Sequence, residues 1–426
     1  MVNQERVNNI VGMVRNLIEL TGIANTLTDE KIDELISQAL SIVSVDCSDE
    51  EREACKRDLK YRYMIQSRPG SKILNDYDQE EWYSDIKDEI DQKFWLRYKD
   101  YLIDEKHFSP NIVSKLGNET LDQDLMNYLL NPNIKTDVPI LRRGLVIGDV
   151  QSGKTSTYIG LICKAADAGF KVFILLTGTI ESLRKQTQER VEEGFIGIDM
   201  SDPATGGRRV GVGMDNQDIF ATALTSRNND FTGNSDKIAV ALRNFNAVVF
   251  VIKKQKDVLN KLTKWLQNLN ADKLTGKIDQ PMLMIDDEAD NASINTSKDK
   301  EDPTTINRLI RNLANLFTRS NYIGFTATPF ANVFIDPETT EEMENQDLFP
   351  EDFIVSLPTP SNYIGPEKIF AENGEYHSQL IYITDAGVEE SDGYSFYFKH
   401  KKEWQGDLPD SLTDAISASY THLRAH

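Results

Sequence analysis

The sequence shows little cysteine, no long apolar run and no visible secretory signal, and each of these observations argues against a class of protein. Its three cysteines, Cys47, Cys55 and Cys163, are few and lack the spacing of a metal site. No apolar run approaches the roughly 20 residues that a membrane-spanning helix needs. The start, MVNQERVNNI, does not place an apolar run behind basic residues, as a secretory signal would. Together these features predict a protein of the reducing cytoplasm that does not enter a membrane.

Basic residues are also scarce: 47 Lys and Arg stand against 68 Asp and Glu, which gives a formal net charge of −21. This balance argues against broad, non-specific binding to nucleic acid, although a local basic groove remains compatible with it. An acidic excess most simply serves solubility. With 426 residues, 39% of them hydrophobic and 27% charged, the chain has the composition of a soluble globular protein with two or three domains.

The first 138 residues carry mainly helical patterns. Apolar residues recur at helical spacing over Val7–Ile18 and again over Ile32–Val43. Between Asp76 and Phe108 the sequence is dense in aromatic and charged residues, including Trp82, Phe94, Trp95, Tyr98 and Tyr101. Such a stripe can stack on nucleic-acid bases, but it is more often the buried face of a helix, and we favour core packing. We therefore predict a helical N-terminal domain over residues 1–138.

Short apolar runs alternate with helical patterns from residue 139 onward. The runs are Leu145–Ile147, Lys171–Leu176, Ala247–Ile252, Met282–Ile285 and Tyr322–Phe325. This alternation predicts an α/β fold in which helices cover both faces of a parallel sheet. Active sites in such folds lie at the carboxyl ends of the strands. Each motif considered below follows one of the runs.

The segment Gly148–Thr155 has the spacing G-x-x-x-x-G-K-T of a phosphate-binding loop, and a helical pattern follows it over Ser156–Ala168. Glycines allow backbone N–H groups to turn toward phosphate oxygens. Lys154 would reach the β- and γ-phosphates, and the hydroxyl of Thr155 would hold magnesium. The strand, loop and helix in this order argue against a chance match. We assign ATP binding to Gly148, Asp149, Val150, Gln151, Ser152, Gly153, Lys154, Thr155 and Ser156.

A second motif, Asp286–Asp290 (D-D-E-A-D), follows the apolar run Met282–Ile285. A buried strand that ends there would deliver carboxylates to the edge of the sheet beside the phosphate loop. Asp287 would coordinate magnesium, directly or through water, and Glu288 would orient and deprotonate the attacking water. Acidic clusters are usually solvated loops, but four apolar residues before the cluster are not typical of such loops. The pattern does not fix a role for Asp286.

Two further strand ends carry small hydroxyl residues. Thr326 and Thr328 follow the fifth run, and we expect them to hydrogen-bond the region of Asp290 and to sense the nucleotide state. A plain polar strand end is the alternative. Thr177 and Thr179 follow the second run, with Arg184 beyond them. This position contacts a nucleic-acid backbone in motor ATPases, and an ordinary helix cap is an equally weighted alternative.

The remaining segments are irregular. Residues 200–237 are rich in Gly, Asn, Asp, Ser and Thr, which predicts an insertion or mobile loops. Beyond Asp336 the sequence is acidic and rich in proline, as expected of a connector that packs across the preceding domain. A helical pattern begins at Leu408 and includes Leu412, Ala415 and Ile416, close to the end of the chain. We expect this chain to be part of something longer.

The phosphate loop, D-E-A-D and T-A-T-P in this order resemble superfamily 2 helicases, and the chain looks like their first motor domain. The strings GDVQSGKT, LTGTIESLRKQT, VFVIKKQKDVLNKL, MIDDEADNASIN, GFTATPFANVFID and LFPEDFIVSLPTPSNYIG are similar to the Z1-domain family, over roughly residues 140–420. The resemblance implies a RecA-like P-loop NTPase domain, the first motor lobe, at residues 139–336. Residues 337–426 would then hold a connector and the start of a second region.

The resemblance also implies a setting. Z1-domain proteins are bacterial, belong to anti-phage defence clusters beside partners such as a MutL-like ATPase, and include some described as candidate endonucleases. Members continue into a second motor lobe, and superfamily 2 enzymes place arginines of that lobe at the ATP site. Because one such arginine is worth roughly 10³–10⁵ in rate, we expect weak ATP binding and slow hydrolysis from this chain alone.

Three functions follow as expectations, each with ATP and Mg²⁺ as cofactors. The first is an ATP-driven motor that acts on nucleic acid, with DNA as the expected substrate, in phage defence. The second is a nucleotide-gated switch that assembles a defence complex without translocation. The third is an ATP-licensed endonuclease whose nuclease residues lie outside this chain, since we find no convincing nuclease motif of the D…E-x-K kind.

Overall fold

A computed structural model describes residues 4–21, 27, 29–43, 47–63, 66–68, 71–74, 81–136, 138–148, 153–199, 201, 207–214, 221–233, 242, 246–291, 293, 305–329, 332, 348–360, 365–372, 374–380 and 410–423. The chain divides into two compact units, Met1–Tyr363 and Ile364–His426. Several predicted features lie outside the described residues: the loop positions Asp149–Ser152, much of 200–237, and the connector residues 337–347.

In the first unit the helices are α1 Gln4–Thr21, α2 Asp29–Val43, α3 Asp49–Tyr63, α4 Trp82–Ile86, α5 Lys93–Asp104, α6 Pro110–Lys115, α7 Lys154–Asp167, α8 Glu181–Val191, α9 Lys256–Asn270 and α10 Thr305–Ala314. Two wider, π-helical turns cover Leu116–Gln123 and Glu192–Ile196, and 3₁₀ turns cover Met126–Tyr128 and Gly211–Met214. The strands are β1 Gln66–Arg68, β2 Ser71–Leu74, β3 Ile140–Ile147, β4 Val172–Thr177, β5 Ile198–Asp199, β6 Arg208–Arg209, β7 Thr222–Ala223, β8 Val248–Lys253, β9 Ile278–Asp287, β10 Phe317–Thr326, β11 Phe353–Ser356 and β12 Thr359–Pro360.

Eight of these strands form one sheet in the order β2–β11–β3–β10–β9–β4–β8–β7. Every neighbouring pair in it is parallel except β2 with β11. All six residues of β4 and the first five of β8 are buried, as expected of strands covered on both faces. The α/β fold with a mostly parallel sheet, predicted from the alternating runs, is therefore confirmed.

For this sheet, the sequence patterns missed three strands, β2, β7 and β11, and shortened three, β3, β9 and β10. β2, β7 and β11 have only two to four residues, too few to form an apolar run. β9 and β10 each have ten residues, because polar residues such as Asp286 and Ser320 continue the ladder beyond the apolar segments. β11 lies in the region predicted as a connector, and it extends the sheet beside β3. Its position is held by Asp352, whose carboxylate accepts a 2.7 Å bond from the backbone N–H of Arg143.

Three clusters of buried side chains stabilise this unit. One face of the sheet packs against α5, α7 and the end of α8, and the other packs against α9 and α10. α1, α2 and α3 share a separate cluster around Val14, Ile36 and Leu59. Trp82, Trp95, Tyr98 and Tyr101 are all buried in the first cluster, so the aromatic stripe is core packing, as we favoured.

The second unit contains α11 Pro366–Phe370, a 3₁₀ turn His377–Gln379 and α12 Asp410–Leu423. α12 confirms the helix expected from Leu412, Ala415 and Ile416. None of the helices described in either unit has the length and apolar character that crossing a membrane requires.

Candidate active site

A cavity of about 460 Å³ lies where the carboxyl ends of β4, β9 and β10 meet the start of α7. It is lined by eight of the residues singled out from the sequence: Lys154, Thr155, Thr177, Asp287, Glu288, Asp290, Thr326 and Thr328. Parallel strands deliver their carboxyl ends to one edge of the sheet, which is why segments far apart in sequence meet there. The four predicted motifs thus contribute to one concave site.

The phosphate-loop segment begins and ends at defined backbone positions. Gly148, directly after β3, donates its N–H to the carbonyl of Thr326 at 3.0 Å. Gly153 precedes α7 with φ at +83°, a left-handed conformation that glycine adopts without strain. The Lys154 ammonium donates a 2.6 Å hydrogen bond to the carbonyl of Gly148. Ser156 is half-buried in the first turn of α7, while Asp149, Val150, Gln151 and Ser152 lie outside the described residues.

Asp286 is fully buried and belongs to the interior, behind the cavity. One carboxylate oxygen accepts a bond from the ammonium of Lys254 at 2.8 Å, and the other accepts bonds from the hydroxyls of Tyr322 at 2.7 Å and Ser293. A buried carboxylate needs this degree of satisfaction. The structure therefore gives Asp286 a supporting position, which the sequence pattern did not fix.

Lys254 is a residue of the site that the sequence analysis missed. Its side chain is fully buried, and besides Asp286 it donates to the carbonyls of Asp287 at 3.3 Å and Glu288 at 2.7 Å. It follows the buried strand β8, and this position at a strand end was the available signal. Because Lys253 precedes it, no pattern distinguished the buried lysine from its partly exposed neighbour.

Asp287 and Glu288 meet the cavity in different environments. Burial raises the pKa of Asp287 to about 6, with Glu288 and Asp286 adding to the rise and Lys254 and Lys154 opposing it. A cation placed beside Asp287 would favour the ionised form of this carboxyl group. Glu288 is exposed and has φ of +62°, which costs a non-glycine residue about 1–3 kcal/mol. A Cβ on Gly178 would lie 2.9 Å from Oε2 of Glu288, so glycine there leaves room for this carboxylate.

Asp290 links the acidic segment to the end of β10. Its two carboxylate oxygens accept hydrogen bonds from Thr326 Oγ1 at 2.9 Å and Thr328 Oγ1 at 2.6 Å. The backbone N–H of Thr328 donates in turn to Thr326 Oγ1 at 2.9 Å. The hydrogen bonds expected for these hydroxyls are present, and they tie the acidic segment to the end of β10.

The three residues predicted to touch a nucleic-acid backbone are not equivalent. Thr177 is buried, and its hydroxyl donates to the carbonyl of Ile252 at 3.2 Å. Arg184 is fully buried and donates to the side chain of Glu181 and to backbone carbonyls of residues 226 and 227. Both side chains are engaged by other parts of the protein in this structure. Thr179 is exposed, and contact with a nucleic-acid backbone stays a prediction.

Arg190 is a second residue that the sequence did not indicate, because it resembles an ordinary exposed arginine in the last turn of a helix. Its guanidinium donates to Thr155 Oγ1 at 3.1 Å and lines the cavity. With Lys154 it brings positive charge to the cavity that Asp287, Glu288 and Asp290 also line. The cavity is thus lined by cations from α7 and α8 and by carboxylates of the acidic segment.

The donor set fits a magnesium ion that is shared with a phosphate ligand. Within the described ranges no group of three or more His, Cys, Asp or Glu side chains could hold a metal by itself. Mg²⁺ in nucleotide sites uses one or two carboxylates plus phosphate oxygens and water, so Thr155 and Asp287, which line the same cavity, are the residues that would hold such an ion. Comparison with known proteins finds no matching family model and no matching curated protein.

Proposed function

We propose that this chain binds ATP with Mg²⁺ and hydrolyses it. The observation that carries the proposal is the meeting of Lys154, Thr155, Asp287 and Glu288, from two distant segments, in one cavity. Chance placement of a lysine, a hydroxyl and two acids would not put all four at the carboxyl edge of a parallel sheet, behind a glycine with positive φ.

Each residue has a role in this proposal. Lys154 neutralises the β- and γ-phosphates, and Thr155 and Asp287 hold the ion. When bound, Mg²⁺ supplies positive charge that neutralises phosphate oxygens. Glu288 orients the attacking water and accepts its proton. Asp290, Thr326 and Thr328 couple the acidic segment to the sheet.

The domain is RecA-like in this proposal and follows a helical N-terminal domain. The strand order supports the first part, because β10 lies between the phosphate-loop strand β3 and the acidic strand β9. That arrangement places Thr326 beside both Gly148 and Asp290. The separate core of α1, α2 and α3 supports the second part.

The wider setting rests on the resemblance to superfamily 2 helicases and the Z1-domain family. We propose a helicase-like motor that acts on nucleic acid, with DNA as the first substrate to test, in cytoplasmic anti-phage defence beside a MutL-like ATPase. The switch and the licensed endonuclease are the competing outcomes. DNA-stimulated hydrolysis supports the motor, ATP-dependent partner assembly without stimulation supports the switch, and strand cutting supports the nuclease.

Calorimetry with MgATP and assays of phosphate release, with and without DNA, test the proposal. Lys154→Ala is expected to weaken ATP binding more than tenfold, because the phosphates lose their charge partner. Glu288→Gln is expected to bind ATP and to lose roughly 10²–10⁴-fold in hydrolysis. Lys185→Ala, at an exposed position of α8 outside the cavity, is the matched control. Equal ATP binding by Lys154→Ala and wild type would contradict the proposal.

A further inference from the structure

A second cavity, of about 260 Å³, lies beside the first, between α5, the first turn of α7 and the end of α8. Thr155 and Arg190 line both cavities, so the two share a wall. Sites for whole ligands usually have about 300–1,000 Å³. A smaller cavity that adjoins another suits one part of a ligand whose remainder lies next door.

The walls of this second cavity are mainly apolar and aromatic. Leu102 and Ile159 are buried at its base, and the rings of Tyr98 and Tyr101 lie 6.3 Å apart at an interplanar angle of 29°. Phe108 is half-buried and therefore offers a more accessible ring than either tyrosine. Flat apolar surfaces of this kind suit a planar aromatic ligand.

The position of Phe108 is set by the chain turn after α5. His107 has φ of +57°, which turns the backbone, and the N–H of Phe108 then donates to the carbonyl of Leu102 at 2.9 Å. A non-glycine residue with positive φ is uncommon and is maintained by its surroundings. The turn thereby brings the Phe108 ring to the cavity.

One charged group is held at the rim. Oε2 of Glu193 accepts hydrogen bonds from the hydroxyl of Tyr101 at 2.9 Å and the ammonium of Lys106 at 3.2 Å. Lys106 also lies 5.3 Å from the centre of the Tyr101 ring. No residue in the described part of the chain donates to Oε1, and the carboxylate is 29% exposed. Glu193 is thus a fixed acceptor for a ligand amino or hydroxyl group.

We propose that this second cavity is the nucleoside subsite of the ATP site, where it takes the adenine base and ribose. The inference rests on the proposed function, since it assumes a triphosphate in the first cavity. A base is joined through ribose to the α-phosphate, so it must lie beside the phosphate site. The shared residue Thr155 and its neighbour Ser156, which also lines the second cavity, supply this continuity.

Calorimetry with MgATP and magnesium tripolyphosphate separates the two cavities. Phe108→Ala is expected to weaken ATP binding about tenfold, equal to about 1.4 kcal/mol, because the base loses a stacking surface. Tripolyphosphate has no base, so its affinity should stay within about twofold of wild type. Phe108→Leu keeps apolar volume but lacks the ring, so it should show the same selective loss. This variant serves as the test if Phe108→Ala does not fold.

Phe94→Ala is the matched control, since Phe94 is a half-buried aromatic at the other end of α5 that packs on Phe195 away from the cavity. It should leave both affinities unchanged. Unchanged ATP affinity in both Phe108 variants, or an equal loss for ATP and tripolyphosphate, would overturn the subsite alone. Wild-type protein that binds neither ligand would overturn the proposed function and the subsite together.

Inosine triphosphate and 2′-deoxy-ATP identify the group that Glu193 accepts. Inosine has a keto group in place of the 6-amino group, and the deoxy analogue lacks a ribose hydroxyl. One of them should bind wild type about tenfold more weakly than ATP, and Glu193→Ala, which removes the acceptor oxygens, should abolish that preference. Two analogues that both bind like ATP would overturn the assigned role of Glu193.

Discussion

Two buried lysines of this chain each form an ion pair with a buried aspartate, yet the pairs differ in what surrounds them. Lys254 pairs with Asp286 beneath the candidate active site, and Lys164 pairs with Asp122 on the far side of α7. A neighbouring aspartate with a raised pKa accompanies each pair: Asp287 beside Lys254, and Asp167 beside Lys164. The residue types are the same, so they do not by themselves identify a functional site.

The surroundings of Lys164 are entirely structural. Its ammonium lies 4.7 Å from the ring centre of Trp95 and 6.0 Å from that of Tyr83, and burial lowers its pKa against the opposing effect of Asp122. The carboxylate of Asp167 accepts the backbone N–H groups of Phe94 and Trp95, both at 2.9 Å, and so caps α5. This cluster fastens α5 and the turn Leu116–Gln123 to α7.

Lys254 instead fixes backbone that faces a cavity. Its bonds to the carbonyls of Asp287 and Glu288 hold the turn in which Glu288 keeps a positive φ. A strained turn at a cavity is maintained only when its surroundings determine it strongly. What distinguishes the two lysines is therefore what each ammonium meets besides its aspartate: aromatic rings for Lys164, and backbone carbonyls of the acidic segment for Lys254.

The largest expected effect, on stability, does not distinguish the two clusters. Lys254→Met and Lys164→Met should each lower the free energy of unfolding by about 3–5 kcal/mol, because each leaves a buried carboxylate without its partner. Urea unfolding measures both losses. Replacing the second pair whole, as Lys164→Met with Asp122→Leu, should recover most of the loss. A double variant no more stable than Lys164→Met would show that the ion pair is not the source of the stability.

Turnover should separate the two lysines. Lys254→Met is expected to lower ATP hydrolysis per folded molecule about 100-fold with little change in ATP affinity, since a small displacement of Glu288 misplaces the attacking water. Lys164→Met should leave turnover per folded molecule unchanged. Phosphate release, normalised to the folded fraction at low temperature, is the measurement. Equal losses of turnover in the two variants would show that Lys254 and Lys164 do not differ in their effect on hydrolysis.

Sequence patterns predicted the strand-end residues of the candidate active site better than they predicted the two buried lysines. Gly153, Lys154, Asp287 and Thr326 follow apolar runs, and a parallel sheet must bring such strand ends to one edge. The sheet and the residues at its edge were therefore predictable. Lys254 and Lys164 were not, because each depends on tertiary partners from distant segments, and lysine is normally exposed.

Arg184 and the short strands show the same limit. Arg184 lies in the polar sequence of α8, which indicates an exposed side chain. In the structure it is buried, and it donates to the carbonyls of residues 226 and 227, which are distant in sequence. β7 and β11 have two and four residues, and they are strands only because β8 and β3 offer free edges for pairing. Local propensity is a weak guide where pairing decides the conformation.

The pH dependence of stability should distinguish the Lys164 cluster through Asp167. Burial raises the pKa of Asp167 from 3.8 to about 7. Between these values the folded protein retains a proton that the unfolded chain has lost, so this stabilising contribution is complete below about pH 4 and disappears as the pH rises through about 7. Asp167→Asn should flatten the fall in unfolding free energy from about pH 4 to about pH 7. Urea titrations check the slope, with Asp257→Asn on the exposed side of α9 as control; an unchanged slope in Asp167→Asn would contradict the assignment.

The smallest expected effects come from one methyl group placed in each region. A Cβ on Gly178 would approach Oε2 of Glu288 to 2.9 Å, and a Cβ on Gly160 would approach Leu121 to 2.8 Å and Trp95 to 3.2 Å. The carboxylate can rotate away, so Gly178→Ala should lower turnover by roughly three- to tenfold without loss of stability. Leu121 and Trp95 cannot move freely, so Gly160→Ala should cost about 1 kcal/mol of stability, the overpacking outweighing the gain in helix propensity, and leave turnover unchanged. Steady-state rates and urea midpoints of the two variants are the measurements. If Gly178→Ala lowered only stability and Gly160→Ala lowered only turnover, the region around Glu288 would be structural and the region around Lys164 would be functional.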